Sequence, residues 1–177
     1  MNESQNRKPV YWGVSTKLGD SGKTMVPAYG KVRKSHIAVT ILGKIDTVMV
    51  SLGWLKLDAW ESAESVQKTL SFVAACISGA AVANEAALET LEKALGYIEA
   101  QMDRQYRHSP GDETKGFLLP GRNEQELRFH ESRTAVRELE ALFSQLGSEE
   151  LGSRLWNSIS MYLNRLSDLL FLMAKSC

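Results

Sequence analysis

The sequence has few cysteines, and their positions exclude two classes of protein. Only two occur among 177 residues, Cys76 in an apolar segment and Cys177 at the last position. Cysteines placed in this way supply neither a disulfide framework nor the ligand spacing of a zinc site. We therefore expect a reducing compartment, with the cytoplasm as the default location.

An excess of charge of either sign is also absent. The 21 lysine and arginine residues balance the 21 aspartate and glutamate residues, so the formal net charge is zero. Proteins that bind the phosphate backbone of nucleic acids usually carry a basic excess. The composition therefore argues against a general nucleic-acid partner, although it permits a local anion site.

Long apolar runs and catalytic triads are missing as well. No run approaches the roughly 20 apolar residues of a membrane span, and the polar first residues, MNESQNRKP, contain no apolar core of a signal peptide. The sequence also lacks a convincing Ser-His-Asp or Cys-His set. We therefore expect no membrane partner, and the residues alone indicate no side-chain nucleophile.

What the sequence does contain is helical periodicity. Because 44% of the residues are hydrophobic, the chain can form one substantial core. Apolar residues recur every three or four positions in five segments, which begin near residues 36, 61, 85, 124 and 153. The predicted core-facing residues are Val39, Leu42, Ile45, Met49 and Leu52; Val66, Leu70, Val73 and Ile77; Ala87, Leu91, Leu95, Ile98 and Met102; Leu127, Ala135, Leu139, Leu142 and Leu146; and Leu155, Ile159, Tyr162, Leu166, Leu169 and Met173. The pattern predicts an all-α, antiparallel five-helix bundle over 36–177, preceded by an irregular N-terminal arm over 1–35.

One predicted connection, residues 108–122, is longer than the others. Loops of about 15 residues are uncommon in compact domains and are often functional, so Phe117 within it is a candidate functional residue. The alternative is that Phe117 plugs the end of the bundle. Immediately afterwards, Asn123 is a predicted helix N-cap, and Glu126 three residues further on completes the pattern of a capping box.

A polar stripe follows on the fourth predicted helix. Its members are spaced by three, four and three residues and share one face: His130, Arg133, Arg137 and Glu140. Two arginines one turn apart suit a carboxylate or a phosphate, whereas the plainer interpretation is a solvated face with intrahelical ion pairs. Asp46, an isolated acid on the first predicted helix, needs a cationic partner if it is buried, and these arginines are candidates.

The N-terminal arm contains a glycine-rich loop, STKLGDSGKT, from Ser15 to Thr24. Its Gly-Lys-Thr triplet resembles a Walker A loop, but Lys17 occupies a position where that motif requires glycine, and Pro27 disfavours the helix that should follow. Backbone N–H groups, hydroxyls and lysines of such a loop can still surround a polyphosphate. An ordinary turn is the alternative.

Three separated motifs resemble those of the PduO-type ATP:corrinoid (cob(I)alamin) adenosyltransferases. T-K-L-G-D-S-G-K-T, from Thr16 to Thr24, is similar to the family's N-terminal T-x-x-G-D-x-G-x-T. F-L-L-P-G and H-E-S-R-T-A-V-R-E-L-E, within Phe117 to Glu140, are similar to its central F-[IV]-L-P-G and H-x-x-R-x-x-x-R-x-x-E. Y-L-N-R-L-S-D-L-L-F, from Tyr162 to Phe171, nearly reproduces its C-terminal N-R-L-S-D signature, and the order of the motifs agrees along almost the whole chain.

The resemblance implies a homotrimer of five-helix bundles that binds ATP and the corrinoid between subunits. Such an enzyme moves the 5′-deoxyadenosyl group of ATP to the cobalt of cob(I)alamin and releases triphosphate. Asp46 and Arg133 would form an inter-subunit ion pair beside the corrinoid, and Phe117 would press on the lower face of the corrin. The ATP-binding residues of this hypothesis are Thr16, Lys17, Gly19, Asp20, Gly22, Thr24, Lys34, Arg137, Glu140 and Asn164, with Mg²⁺ held largely by the phosphates rather than by a protein-built metal site.

Five positions depart from the family's pattern: Ala38, Thr40, Thr47, Glu138 and Ala141. The family has consecutive arginines where this chain has Arg137 and Glu138, so the reversed charge is expected to weaken polyphosphate binding. A second hypothesis is therefore a noncatalytic paralogue that binds ATP or corrinoid as a sensor, carrier or assembly partner. A purely structural bundle would leave the motifs unexplained. A reductase or a cobalamin-dependent enzyme is a further candidate partner.

Overall fold

The computed structural model of this chain describes residues 19–108 and 119–177, except for the side chain of His108. Within these ranges the chain forms a small antiparallel sheet of two strands, β1 (Lys23–Val26) and β2 (Gly30–Arg33), and six helices. The helices are α1 (Ile37–Leu57), α2 (Ala63–Ser78), α3 (Glu85–His108), α4 (Glu124–Phe143), α5 (Ser148–Leu151) and α6 (Ser153–Ser176). The predicted all-α class is confirmed, since five long helices form the bundle and α5 adds a single turn before the last of them.

Contacts between helix ends define how the bundle is arranged. Arg128, near the start of α4, donates to Asp58, just beyond the end of α1, at 2.8 Å, so these two helices run in opposite directions. α3 and α6 are parallel instead, because Glu85 and Arg154 pair at their starts at 3.2 Å. The five long helices alternate in direction along the chain. A parallel pair such as α3 and α6 can therefore form between helices that are not consecutive.

The core confirms the predicted stripes of α2 and α6 and corrects those of α1 and α4. All four predicted core residues of α2 are buried, as are five of the six on α6, with Met173 half-buried. On α3, Ala87, Leu91 and Ile98 are buried, whereas Leu95 and Met102 are half-buried. The residues that α1 buries are Ala38, Ile41, Ile45, Val48, Ser51, Leu52 and Leu55, so the predicted stripe was right only at Ile45 and Leu52.

On α4 the prediction that Leu127 faces the core was wrong. Leu127 is 46% exposed, and the buried apolar seam begins instead at Phe129. From there it continues through Ser132, Val136, Leu139 and Phe143, which are spaced by three and four residues. Charged residues surround Leu127 at the start of α4. The first apolar residue of the helix therefore did not indicate which face is buried.

α1 also corrects the expectation that no segment approaches a membrane span. By length and composition it could cross a membrane: its 21 residues include a window with mean hydropathy of 1.5. Core helices of globular bundles have the same properties, and 33% of that window is buried inside this chain. The helix packs against both α2 and α4, so we interpret α1 as the central apolar helix of the bundle.

The N-terminal arm is more regular than its sequence indicated. Instead of lacking periodic structure, residues 23–33 form the β1–β2 hairpin, whose turn docks on the end of α2. The N–H of Ala28 donates to the carbonyl of Ser78 at 2.9 Å, which satisfies a carbonyl left free by the end of the helix. Gly79 follows with φ of 78°, and a Cβ there would lie only 2.8 Å from the Cβ of Ala28. Glycine therefore permits this docking.

The start of α4 is capped as predicted, with an additional role for Arg122. The Asn123 side chain accepts the Glu126 N–H at 2.8 Å. The fully buried Glu126 carboxylate does not reach back to the N-cap N–H but accepts the Arg122 N–H at 2.6 Å and its guanidinium at 3.2 Å. The same guanidinium donates to the Ala174 carbonyl at 2.8 Å. Arg122 thus joins the loop before α4 to the end of α6.

Candidate functional site

The described part of the glycine loop places three predicted site residues together. The N–H of Lys34 donates to the carbonyl of Gly22 at 2.9 Å, which folds the end of β2 back on the loop. The Lys34 ammonium lies over Gly19, where an added Cβ would be 3.2 Å from Nζ. Asp20 is exposed and Thr24 is half-buried on β1. The loop therefore presents a lysine beside glycine backbone, as polyphosphate binding requires.

Three predicted site residues, Thr16, Lys17 and Phe117, lie outside the described residues. Their proposed contacts with the nucleotide and the corrin therefore stay predictions.

A chain of polar contacts links α4 to α6 at the other predicted nucleotide residues. Asn164 Nδ2 donates to Glu140 Oε1 at 3.3 Å, and Arg165 Nη1 donates to Asn164 Oδ1 at 2.9 Å. These side chains line a surface cleft of about 390 Å³ between the two helices. Because both ends of the Asn164 amide are engaged, its orientation is fixed, and the side chain is held ready for a polar ligand.

Farther along the same face, Arg133 and His130 both contact Phe171 of α6. The guanidinium carbon of Arg133 lies 5.1 Å from the centroid of the Phe171 ring, which is a cation–π contact. The His130 ring is tilted against Phe171 at 6.3 Å between centroids. Phe171 therefore supports two members of the predicted polar stripe, although sequence reasoning gave it no role.

His130 is not a solvated residue of that stripe, because it is only 7% exposed. Burial lowers its pKa from the ordinary value, as do the charges of Arg133 and Arg122, against the opposing effect of Glu126. The Glu126 carboxylate is 3.7 Å from His130 Nε2, and that nitrogen has no hydrogen-bond partner in the described structure. Burial raises the pKa of Glu126, but the backbone N–H groups of Arg122 and Gly121 together with the Arg122 guanidinium lower it more, so the net shift is downward. The pair is therefore a neutral histidine beside a carboxylate.

Arg137 and Asp46 lack ion-pair partners within the part of the chain that the structure describes. Arg137 is exposed at the surface of α4, and Asp46 is exposed on α1. Asp46 is therefore not buried on its helix, so the condition under which it would need a cationic partner within the core is not met; its inter-subunit pairing with Arg133 stays a prediction. A carboxylate and a guanidinium left free on one protomer are available to a ligand or to a second subunit.

Lys44 makes a contact beside the candidate site that sequence reasoning missed. It forms an ion pair with Glu138, one of the five positions that depart from the family's pattern. The two residues are 94 positions apart, so only the packing of α1 against α4 brings them together.

An exposed stripe of α1 continues from Asp46 with apolar residues. Val50 is 67% exposed, Trp54 49% and Leu57 76%. They follow Asp46 at intervals of four, four and three residues, so they share its helix face. We call Asp46, Val50, Trp54 and Leu57 the α1 stripe. Its apolar part is the kind of surface that a protein partner covers.

Together, these residues define an all-α protein in which α4 carries an exposed arginine, Arg137, and contributes Glu140 to a polar cleft against α6, an arrangement that suits an anionic ligand. A sequence profile described as "Cobalamin adenosyltransferase" matches residues 14–177. The chain belongs to this family, and the family is one of transferases.

Curated relatives agree with the family assignment. The chain is 27% identical over 172 residues to a corrinoid adenosyltransferase of Citrobacter freundii, covering 92% of this chain and 93% of the relative. It is 26% identical over 171 residues to a cobalamin adenosyltransferase of Cupriavidus metallidurans, covering 92% of this chain and 86% of the relative. It is also 28% identical to the corrinoid adenosyltransferase PduO of Citrobacter freundii over 170 residues, 92% of this chain, but spans only 49% of that longer protein.

Solved structures show the same fold. An arginine-to-lysine variant of a PduO-type ATP:corrinoid adenosyltransferase from Lactobacillus reuteri, complexed with ATP, superposes with a TM-score of 0.75 at 22% identity. The match covers 92% of this chain and 93% of that one. A phenylalanine-to-alanine variant from the same organism, complexed with cobalamin and ATP, gives a TM-score of 0.74 at 23% identity, covering 91% of both chains.

Proposed function

We propose that this chain is a corrinoid adenosyltransferase that uses ATP and cob(I)alamin as its substrates. The observation that carries the proposal is family membership over nearly the whole chain, residues 14–177. The exposed Arg137 guanidinium supports it, because a polyphosphate needs a cation that no carboxylate among the described residues has already paired. The Asn164 amide supports it as a polar group whose orientation is fixed by Glu140 and Arg165.

In the proposed reaction, cob(I)alamin is the nucleophile and the protein supplies geometry and charge. The cobalt electron pair attacks C5′ of ATP, a cobalt–carbon bond forms, the C5′–oxygen bond breaks, and triphosphate leaves with the bonding electrons. No side-chain base is required, because no proton is removed from either reacting atom. Arg137, Lys34 and the backbone of the glycine loop would stabilise the charge that develops on the triphosphate.

The corrinoid would lie near the face formed by Arg133 and Phe171. Asp46 of one subunit would pair with Arg133 of another beside the corrinoid, since neither residue has an ion-pair partner among the described residues of its own chain. Phe117 would press on the lower face of the corrin, disfavouring an axial ligand so that the cobalt is easier to reduce. Mg²⁺, if bound, would take its ligands from the phosphates.

The assembly we propose is a homotrimer in the cytoplasm. The α1 stripe supports a subunit interface, because it combines an unpaired acid with exposed apolar residues on one helix face. Cys76 and Cys177 are unpaired thiols, as expected in a reducing compartment. A reductase or a cobalamin-dependent enzyme would be a transient further partner.

An absorbance assay tests the proposal directly. The protein is incubated with chemically reduced cob(I)alamin and Mg-ATP, and the spectrum is followed for adenosylcobalamin. We expect turnover, and Arg137→Ala should lower it by about 10²–10³-fold, the usual cost of removing a positioned stabilising group. If the wild-type protein binds both substrates but forms no adenosylcobalamin, the noncatalytic paralogue is the better hypothesis. If it binds neither, the family resemblance extends to the fold alone.

A further inference from the structure

Lys44 and Glu138 form an ion pair that joins α1 to α4. The Lys44 side chain is only 18% exposed, whereas that of Glu138 is 67% exposed. A lysine whose stem is covered by two packed helices loses less freedom on pairing than a lysine in open solvent. The position of the Glu138 carboxylate is therefore set by the bundle.

This pair affects the charge next to Arg137. Glu140 lies three residues further on and shares the helix face of Arg137. Glu138 is the next residue in the chain, and although adjacent side chains on a helix point in different directions, its negative charge lies close enough to lower the positive potential around Arg137. Each is held elsewhere: Glu138 by Lys44, and Glu140 by Asn164 Nδ2 at 3.3 Å. Within the described ranges, Arg137 consequently has no carboxylate partner.

We propose that Lys44 is a positioning residue for nucleotide binding: by holding Glu138 towards α1, it keeps the Arg137 guanidinium available to the triphosphate. The inference rests on the proposed ATP site and deepens it. A negative charge at position 138 then weakens polyphosphate binding only when Lys44 is missing. Lys44 does not itself contact the nucleotide.

A double-mutant cycle on ATP affinity separates this role from a direct one. Lys44→Met keeps the apolar stem and removes the charge, and Glu138→Gln keeps the shape of the acid. Lys44→Met alone should weaken Mg-ATP binding by about three- to tenfold, because it leaves the Glu138 carboxylate without its countercharge beside an anion site that solvent and salt screen only in part. In the Glu138→Gln background the same substitution should have little effect.

The measurements are calorimetric titration with Mg-ATP without corrinoid, the ATP dependence of turnover, and thermal melts. We expect the KM for ATP to rise while kcat and the melting temperature stay within error, which a loss of helix packing would not produce. The matched control is Lys56→Met with Glu64→Gln, another lysine–glutamate pair that joins α1 to a neighbouring helix, at 2.9 Å. Neither control substitution should change ATP affinity.

The outcomes are distinguishable. Equal loss of affinity from Lys44→Met in both backgrounds would mean that Lys44 contacts the nucleotide directly, and the positioning role would be wrong. No loss in either background would also overturn it, while leaving the proposed reaction intact. If the wild-type protein does not bind Mg-ATP at all, the proposed function and this inference are both wrong.

Discussion

At the scale of single residues, Asp46 is the residue through which the proposed trimer would link one protomer to its neighbour. Asp46 is an exposed acid on α1, and Arg133 on α4 lies over the ring of Phe171; neither has an ion-pair partner among the described residues. In the proposed trimer these two groups pair beside the corrinoid, where water is partly excluded. A charge pair in that setting contributes more binding free energy than one on an open surface.

We predict that Asp46→Asn weakens corrinoid binding by about tenfold, equivalent to about 1.4 kcal/mol, and leaves ATP binding unchanged. The substitution keeps the shape of the side chain but leaves Arg133 without its countercharge. Separate titrations with each substrate measure the effect, and a thermal melt checks folding. An altered ATP affinity with normal corrinoid affinity would be contrary to the assigned position of this pair.

A second prediction at this scale concerns acid sensitivity at His130. Burial lowers its pKa from 6.5, and Arg133 and Arg122 add to the shift against Glu126. Below pH 6.5 the unfolded chain therefore binds more protons at this residue than the folded chain, so stability is complete at higher pH and is lost as pH falls. The pKa of Glu126 is also lowered, which adds a second loss only below its ordinary value of 4.5.

The melting temperature should therefore fall between pH 7.5 and pH 5.5, and His130→Gln should flatten this part of the profile. Differential scanning calorimetry over several pH values is the measurement. Because Glu126 titrates in a lower range, the loss of stability below pH 4.5 should persist in the variant. Parallel profiles for the two proteins between pH 7.5 and pH 5.5 would assign the acid sensitivity to other groups.

At the scale of elements, the β1–β2 hairpin depends on its contact with the end of α2. A residue with a side chain at position 79 would have to adopt the left-handed backbone conformation of Gly79, and its Cβ would collide with Ala28. We predict that Gly79→Ala destabilises the protein by about 1–2 kcal/mol, the usual cost of the left-handed conformation for a residue with a Cβ. The collision should also loosen the hairpin and weaken ATP binding.

Gly96→Ala is the matched control. Gly96 lies within α3, and nothing lies within 4 Å of an added Cβ. There the substitution should stabilise the protein by about 0.5–1 kcal/mol, because alanine loses less freedom in a helix. Chemical denaturation measures both values. If the two variants were equally stable, the hairpin turn would not be held by Gly79 as the structure indicates.

How well the sequence predicts the buried residues of a helix depends on how strongly amphipathic that helix is. α2 and α6 each have one apolar face, so their periodicity identified the buried residues. α1 is apolar on more than one face, and spacing alone could not choose between Leu42, which is half-buried, and Ile41, which is fully buried. The hairpin escaped prediction because its strands have four residues each, too few for a clear alternation.

At the scale of the whole molecule, the site was predictable where one helix carries it and unpredictable where two helices meet. The spacing of Arg133 and Arg137 follows from a single helix, and the motifs named Asn164 as a candidate, which the structure places against Glu140 of the same helix. The Lys44–Glu138 pair and the support of Arg133 by Phe171 arise only from packing between distant segments. Such contacts have no signature in the spacing of one sequence.

The proposed trimer would explain why the α1 stripe is exposed in a single chain. Val50, Trp54 and Leu57 remain outside the core although their helix is the most apolar of the bundle. Apolar residues in a continuous stripe favour burial against another protein surface. Because Asp46 lies on the same face, assembly would bring this acid to the neighbouring subunit together with the apolar contact.

We therefore predict that Val50→Asp converts the trimer into a folded monomer and lowers adenosyltransferase activity by at least tenfold. Val50 is 67% exposed in the single chain, so the substitution should change the stability of an isolated protomer by about 0.5 kcal/mol or less. Within an interface, by contrast, it would bury an unpaired carboxylate next to Asp46. Light scattering after size-exclusion chromatography reports the mass, and the absorbance assay reports turnover.

Val82→Asp is the control, because Val82 is similarly exposed, at 75%, but lies in the connection between α2 and α3. A trimeric and active Val50→Asp protein, or a monomeric and active wild type, would show that the site is complete within one bundle.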